Sequence, residues 1–141
     1  MKTLLLVALL LLACQAAAEI GTVKNVSGEV QVEREGRMLP VEPGFELSQD
    51  DAVITGKDGR VGIIFIDNSR FSAGPNSRLE LARFRFNPTT HEGDFVTRVR
   101  RGTVAVVSGQ IAKHTEDAMK IETPQSNLGV RGTKFLIQVQ E

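Results

Sequence analysis

The feature that most constrains the fold of this chain is a succession of short segments with β-strand patterns, each bounded by turn-forming residues. In residues 29–33, Val30 and Val32 alternate with polar residues, so their apolar side chains lie on one face. Residues 25–28 (NVSG), 56–59 (GKDG) and 74–77 (GPNS) have the composition of turns. The pattern repeats nearly to the end of the chain and predicts an all-β protein.

The number and spacing of these segments favour a single domain. We expect about ten or more short strands, about 8–12 residues apart, in a β-solenoid or β-sandwich arrangement. The apolar run 61–66 (VGIIFI) is expected to be a strand buried on both faces. Gly102 is expected to separate two strands, 95–101 and 103–107.

Two further segments give more detailed expectations. In the strand predicted over residues 78–86, strict alternation places Leu79 and Leu81 on one face and Phe84 on the other. Residues 110–119 (QIAKHTEDAM) are the only helical segment that we predict, with room for one or two turns.

The first 18 residues have the composition of a secretory signal peptide. Lys2 supplies a positive start, and residues 4–13 form an unbroken apolar run, about half the length that a membrane-spanning helix needs. Small residues at Ala16 and Ala18 fit cleavage before Glu19. We therefore predict that residues 1–18 are removed, that residues 19–141 form the domain, and that the protein is exported to the periplasm.

A second cleavage pattern overlaps the first. Residues 11–14 (LLAC) resemble a lipobox, which would make residues 1–13 a lipoprotein signal and place a lipid anchor on Cys14. Only in that case do we expect the protein to be held at a membrane. Cys14 is the only cysteine, so the chain can form no intramolecular disulfide.

The sequence contains no set of residues arranged for catalysis. His91 and His114 are the only histidines; they lie far apart in the sequence, and no HxH, HExxH or CxxC spacing occurs. No GxSxG motif precedes a predicted helix. We interpret both histidines as solvated polar residues and predict no metal site, no cofactor and no enzymatic activity.

Charge and aromatic content also restrict the classes of partner that we expect for this protein. The 17 basic residues balance the 17 acidic ones, and Trp and Tyr are absent, so we expect no nucleic-acid partner. Six arginines on two adjacent predicted strands could form a patch for an anion or a partner. The alternative is a solvated strand face with Glu80, Glu92 and Asp94 as counter-charges. The six are Arg78, Arg83, Arg85, Arg98, Arg100 and Arg101.

Taken in order, several blocks of the sequence resemble the FecR domain. The closing block, Thr123 and Pro124 followed by residues 129–135 (GVRGTKF), is similar to the most distinctive signature of that family. The resemblance runs from about Gly21 to Val139. The earlier blocks are residues 23–30 (VKNVSGEV), 51–56 (DAVITG), 65–69 (FIDNS), 74–81 (GPNSRLEL), 101–103 (RGT) and 107–109 (VSG).

The resemblance implies an extracytoplasmic all-β domain without catalytic residues. In the founding regulators of the family, this domain relays the state of an outer-membrane iron-siderophore transducer to a cytoplasmic sigma factor. This sequence shows no anti-sigma segment and no spanning helix, so we do not expect that relay role. We expect a binding or interaction module in envelope sensing or signalling, with an unidentified envelope protein as its partner.

An alternative function is a structural envelope protein that assembles by pairing an exposed sheet edge with a strand of a partner. The sequence leaves the oligomeric state open under both functions.

The motif of the closing block is expected to serve the fold. Its two glycines permit a tight bend between strands, and the guanidinium fork of its arginine can satisfy backbone carbonyls or a carboxylate. We predict that Arg131 is largely buried and hydrogen-bonded, with Asp67 and Glu122 as candidate partners. The motif comprises Gly129, Val130, Arg131, Gly132 and Thr133.

Overall fold

The computed structural model of the chain describes residues 18–130 and 134–140. Most of these residues lie in strands, which confirms the all-β prediction, and one short helix, α1 (Gln110–His114), follows the longest strand. No helix in these ranges is long and apolar enough to cross a membrane. The strands are β1 (Glu19–Ser27), β2 (Val30–Arg34), β3 (Arg37–Pro40), β4 (Glu46–Ser48), β5 (Ala52–Thr55), β6 (Arg60–Phe65), β7 (Arg70–Ala73), β8 (Arg78–Phe86), β9 (Gly93–Val107), β10 (Met119–Glu122), β11 (Asn127–Gly129) and β12 (Lys134–Val139).

The strands form one curled, mostly antiparallel sheet whose two halves share β9. The first part of β9 pairs with β8, followed by β5, β2 and β3, and on its other side it pairs in parallel with β10, which pairs with β11. The second part pairs with β7, followed by β6, β1 and β4, and on its other side with β12. We call the first set the arginine half and the second set the β12 half.

Gly102 lies in β9, at the point where this strand leaves the arginine half and enters the β12 half. The prediction of two strands separated by this glycine is wrong, because β9 runs through it without a break. Gly102 has a φ of +96°, and a carbon added there would lie 2.0 Å from the hydroxyl oxygen of Ser77. The missing side chain therefore allows β9 to bend and to enter both halves.

The core between the two halves is built around four phenylalanines. Phe65 and Phe71 come from the β12 half, and Phe84 and Phe95 from the arginine half. The ring centres of Phe65 and Phe95 are 4.7 Å apart with edge-to-face geometry, and those of Phe71 and Phe95 are 5.4 Å apart and stacked. Because these contacts cross from one half to the other, the halves share one hydrophobic core.

The strand β6 alternates instead of being buried on both faces. Val61, Ile63 and Phe65 are buried, whereas Ile64 is half-buried and Ile66, just past the strand, is 49% exposed. The prediction from the VGIIFI run is therefore wrong. Its physical reason is that only the inner face of this curled sheet is covered, so an apolar run does not imply two buried faces.

A β-bulge changes the face on which the end of β8 lies. The pairing of β8 with β9 shifts register between Leu81 and Arg83, where one extra residue is accommodated. As a result Phe84 is buried with Leu79 and Leu81, and Arg83 is exposed. The strict alternation predicted for this strand is therefore wrong.

The predicted helix is confirmed but is only five residues long. It is tied to the turn between β6 and β7 by Asp67, whose side chain is fully buried. The carboxylate of Asp67 accepts hydrogen bonds from the Ser69 backbone N–H at 3.0 Å, the Ser69 hydroxyl at 2.8 Å and the Ile111 N–H at 3.3 Å. These bonds compensate for the burial of a charged group.

Candidate functional site

The six predicted arginines lie together on the solvent side of the arginine half. Three come from β8 and three from the first part of β9, and the antiparallel register places Glu80 opposite Arg98 and Arg85 opposite Asp94. The alternate residues of these strands, such as Leu79 and Val99, are fully buried. We call the surface formed by the six arginines the arginine face.

Glu80 lies at the centre of the arginine face. Its carboxylate accepts a hydrogen bond from Arg100 Nε at 2.7 Å and lies 3.5 Å from Arg78 Nε. Arg78 also donates to Glu33 at 3.0 Å, so the ion pairs link residues of three strands, β2, β8 and β9. The hydrogen bond from Arg100 lowers the pKa of Glu80, and the positive charges of Arg100 and Arg78 lower it further. The same hydrogen bond raises the pKa of Arg100.

Further carboxylates neutralise other members of the arginine face. Arg98 donates to Glu122 of β10 at 2.7 Å, and Arg83 lies 3.5 Å from Asp94. Glu80 and Asp94 are thus counter-charges, as the solvated-face alternative expects. Glu92 forms no ion pair with any of the residues in the two described ranges. Among the described residues, carboxylates pair with at least four of the six arginines, so this arrangement is largely a charge-paired strand face.

The structure brings the two histidines together, although they are far apart in the sequence. His91 lies in the loop between β8 and β9, and His114 is the last residue of α1. Their ring centres are 6.3 Å apart with perpendicular planes, and His91 also stacks on Phe86 at 6.1 Å. Both are exposed, as predicted, but their proximity could not be read from the sequence.

A cleft of about 550 Å³ lies beside this pair. Among the residues that line it, Phe86 is half-buried and Arg85 forms no ion pair with a described residue. Glu92 and Asp94 also line the cleft, and Asp94 is paired with Arg83. Within residues 18–130 and 134–140, no three or more His, Cys, Asp or Glu side chains are grouped so that they could hold a metal ion. The cleft therefore combines polar groups of both signs with one aromatic ring.

Only part of the family motif falls within the described residues. Gly129 ends β11, and the buried Val130 donates its N–H to the carbonyl of Met119 at 3.0 Å. Residues 131–133 lie outside the described ranges, so the burial of Arg131 is still a prediction. The two candidate partners of Arg131 have other contacts: Asp67 binds the start of α1, and Glu122 accepts from Arg98.

The edges of the sheet differ in length and chemistry. The edge strands β4 and β11 have three residues each, and β3 has four, of which Arg37 and Pro40 are unfavourable for further pairing. The edge strand β12 has six residues with the sequence KFLIQV. Its outer edge pairs with no other strand in the described part of the chain.

The strand β12 also carries the most exposed large hydrophobic side chain of the described residues. Leu136 is 66% exposed, on the outer face of the β12 half. It borders a shallow groove of about 230 Å³ that includes Ser72, Thr103 and Ala105. Sequence reasoning did not identify this surface, because an edge strand and an inner strand have the same apolar alternation.

The remaining predicted site residue, Cys14, and most of the predicted signal peptide lie outside the described ranges. The cleavage site and the lipid anchor are therefore still predictions.

Comparisons with known proteins address the family directly. The model of the FecR protein family matches residues 51–141. This range contains the blocks from DAVITG to GVRGTKF, whereas the resemblance of residues 21–50 lies outside the match. Comparison with curated proteins and with solved structures finds no significant match to either. The matched range covers more than half of the sequence and the central strands of the fold, and the chain therefore belongs to the FecR protein family.

Proposed function

We propose that this protein is a periplasmic, non-catalytic interaction module that acts in envelope sensing or signalling through a protein partner. Its family is associated with envelope signalling, which supports the general class of function. Export by residues 1–18 and the absence of catalysis are parts of the proposal.

The observation that carries the proposal is the open outer edge of β12. A strand edge presents a row of backbone N–H and C=O groups that can pair with an extended segment of another protein. Here that edge is six residues long, lacks proline, and has a single charged residue, Lys134. The adjacent Leu136 supplies an apolar contact beside the backbone row. Such an edge is suited to accept a partner strand.

The same edge also supports the second candidate function, a structural envelope protein that assembles by strand pairing. The two functions differ in the product that they predict. A signalling module pairs with a different protein in a defined complex, whereas a structural protein forms assemblies of repeated units through its edge.

Photo-crosslinking in living cells separates these outcomes. A photoreactive residue at Gln138 of β12 is expected to give one adduct with a distinct envelope protein, and the additional substitution Leu136→Lys is expected to remove that adduct. The same photoreactive residue at Met38, on the short edge strand β3, serves as the matched control and should give none.

Other crosslinking results would support a different function or a different recognition surface. A ladder of self-multiples from Gln138 would support the structural function instead. Adducts from Arg100 but not from Gln138 would move the recognition surface to the arginine face, and adducts that persist in the L136K variant would contradict pairing at this edge.

Export is tested by cell fractionation and by the intact mass of the mature protein. A periplasmic chain that begins at Glu19 supports the proposal. A diacylated chain that begins at Cys14 supports the membrane-anchored alternative, and an uncleaved cytoplasmic chain contradicts both.

A further inference from the structure

The only two histidines of the sequence meet at one end of the molecule. They come from different elements, the β8–β9 loop and the end of α1, and their ring centres are 6.3 Å apart. Contact with Phe86 gives His91 a packing role in the fold, but such a role does not require a second imidazole beside it. The proximity of the pair therefore calls for its own explanation.

The loop that carries His91 is held by its own hydrogen bonds. The side-chain oxygen of Asn87 accepts from the N–H groups of Thr89 and Thr90, and the carbonyl of Asn87 accepts from the His91 N–H at 2.7 Å. Asn87 in turn donates its N–H to the carbonyl of Glu92. His91 itself has a φ of +63°, a conformation that is uncommon for residues other than glycine. The loop thus fixes the backbone position from which this imidazole projects.

The other imidazole is anchored through the helix. His114 ends α1, in which Ile111 is fully buried and Ala112 nearly so. The helix begins at the hydrogen bonds to Asp67 described above, so its position relative to β9 is determined by buried contacts. Two exposed imidazoles are therefore presented side by side by two anchored segments.

Two adjacent neutral imidazoles are a binding unit for borderline transition metals. Zinc binds imidazole nitrogens at about 2.0–2.1 Å, and copper and nickel also prefer this ligand, whereas magnesium and calcium prefer oxygen. From a ring separation of 6.3 Å, side-chain rotation can direct one nitrogen of each ring toward a common ion.

We propose that His91 and His114 together bind one divalent transition metal ion of the zinc, copper or nickel class. The described residues place no third ligand of the usual types in this group. Water, or the donor atoms of a small chelating molecule in the adjacent cleft, fills the remaining coordination positions. A site with two protein ligands binds an exchangeable ion rather than a permanent structural one.

The test uses the full chain with Cys14→Ser, so that no thiol competes for the metal. Calorimetric titration with Zn²⁺ is expected to show one ion per chain, and Mg²⁺ and Ca²⁺ are expected not to bind. The single variants His91→Gln and His114→Gln should each weaken Zn²⁺ binding by about tenfold or more, since even outer-shell changes at metal sites cost about 10–100-fold. Lys113→Gln, beside His114 on α1 and not among the residues that line the cleft, is the matched control and should bind as the parent does.

Nuclear magnetic resonance gives a readout that a purely structural role would not change. The chain has two histidine imidazoles, so its spectrum contains two sets of imidazole signals, and both should shift together and saturate at one equivalent of Zn²⁺. Because both side chains are exposed, each variant should change the melting temperature only slightly, with the larger change in His91→Gln, which loses the contact with Phe86. The proposal is overturned if only one set shifts, if either single variant binds as tightly as the parent, or if Zn²⁺ does not bind.

Discussion

The two halves of the sheet differ in how the charged and backbone polar groups of their outer surfaces are paired. In the arginine half, carboxylates on β2, β8, β9 and β10 pair with four of the six arginines. In the β12 half, charged side chains such as Arg60 and Arg70 are exposed and form no ion pairs with described residues. The outer backbone edge of β12 pairs with no described strand, and Leu136 is exposed beside it. A conspicuous cluster of charges can thus be paired within the protein, while the edge suited to a partner strand has few charges.

Both halves depend on the bend of β9 at Gly102. A substitution that disrupts this bend is expected to have the largest effect on stability. Gly102→Ala would place a carbon 2.0 Å from the Ser77 hydroxyl oxygen at a φ of +96°. Strain and overpacking together should lower the free energy of unfolding by about 2–4 kcal/mol. Urea denaturation of G102A measures this loss.

Gly74→Ala is the matched control for that substitution. The nearest atoms to an added carbon at Gly74 lie 3.8 Å away, and its φ is not in the positive range. We expect a change within about 0.5 kcal/mol. Equal losses in the two variants would show that the bend at Gly102 has no special role.

An ion pair with one buried member, Asp51, lies near the edge of the arginine half and is expected to contribute more than the exposed pairs. Asp51 is 1% exposed and accepts two hydrogen bonds from Arg34, at 2.8 and 2.7 Å, and one from the Ser48 N–H at 2.8 Å. The hydrogen bonds that Arg34 donates to the Asp51 carboxylate raise the pKa of Arg34. Asp51→Asn should cost about 1–3 kcal/mol of unfolding free energy, since a buried acceptor of several donors is weakened.

Chemical denaturation of D51N measures that cost, and the neighbouring Asp50→Asn provides its control. Asp50 is exposed and its side chain makes no ion pair with a described residue. A loss in D50N as large as in D51N would contradict the assignment to the buried pair.

The exposed pairs of the arginine face should contribute less, and in a pH-dependent way. The folded pKa of Glu80 is lowered, so its stabilising contribution is fully present above the unfolded value of about 4.3 and is lost as pH falls through the folded value. Glu80→Gln should therefore cost about 0–1 kcal/mol at pH 7, and this difference from the parent should vanish at a pH below both values.

Stability curves of the parent and E80Q, measured between pH 7 and pH 2, test this prediction. High salt should also reduce the difference at pH 7, because exposed charges are screened. A difference that is unchanged at low pH would show that the effect of E80Q does not come from the ion pair.

The smallest effect on stability is expected at the open edge. Leu136→Lys changes a side chain that is 66% exposed, so the free energy of unfolding should change by about 0.5 kcal/mol or less. Ile137→Lys, at a 5% exposed neighbour on the same strand, should destabilise the protein strongly. Thermal unfolding of the two variants shows whether β12 has one free face and one core face.

Much of the fold and the six arginines of the arginine face could be predicted from local sequence, whereas the histidine pair and the outer edge of β12 could not. The alternation of Val30 and Val32, the turn residues between segments and the short helix near 110–119 follow from local periodicity, which is encoded in neighbouring residues. The bulge near Arg83 and the passage through Gly102 depend on the strand paired alongside, and alternation within one strand carries no information about its neighbour.

The sequence by itself determined the strand-forming segments, the balance of charge and the membership of the FecR family, because each is carried by residue types in order along the chain. Tertiary structure alone decided that His91 lies near His114, that Glu80 lies between arginines of two strands and that no described strand pairs with the outer edge of β12. These are contacts between distant segments, and their geometry is set only when β9 joins the two halves around a common core.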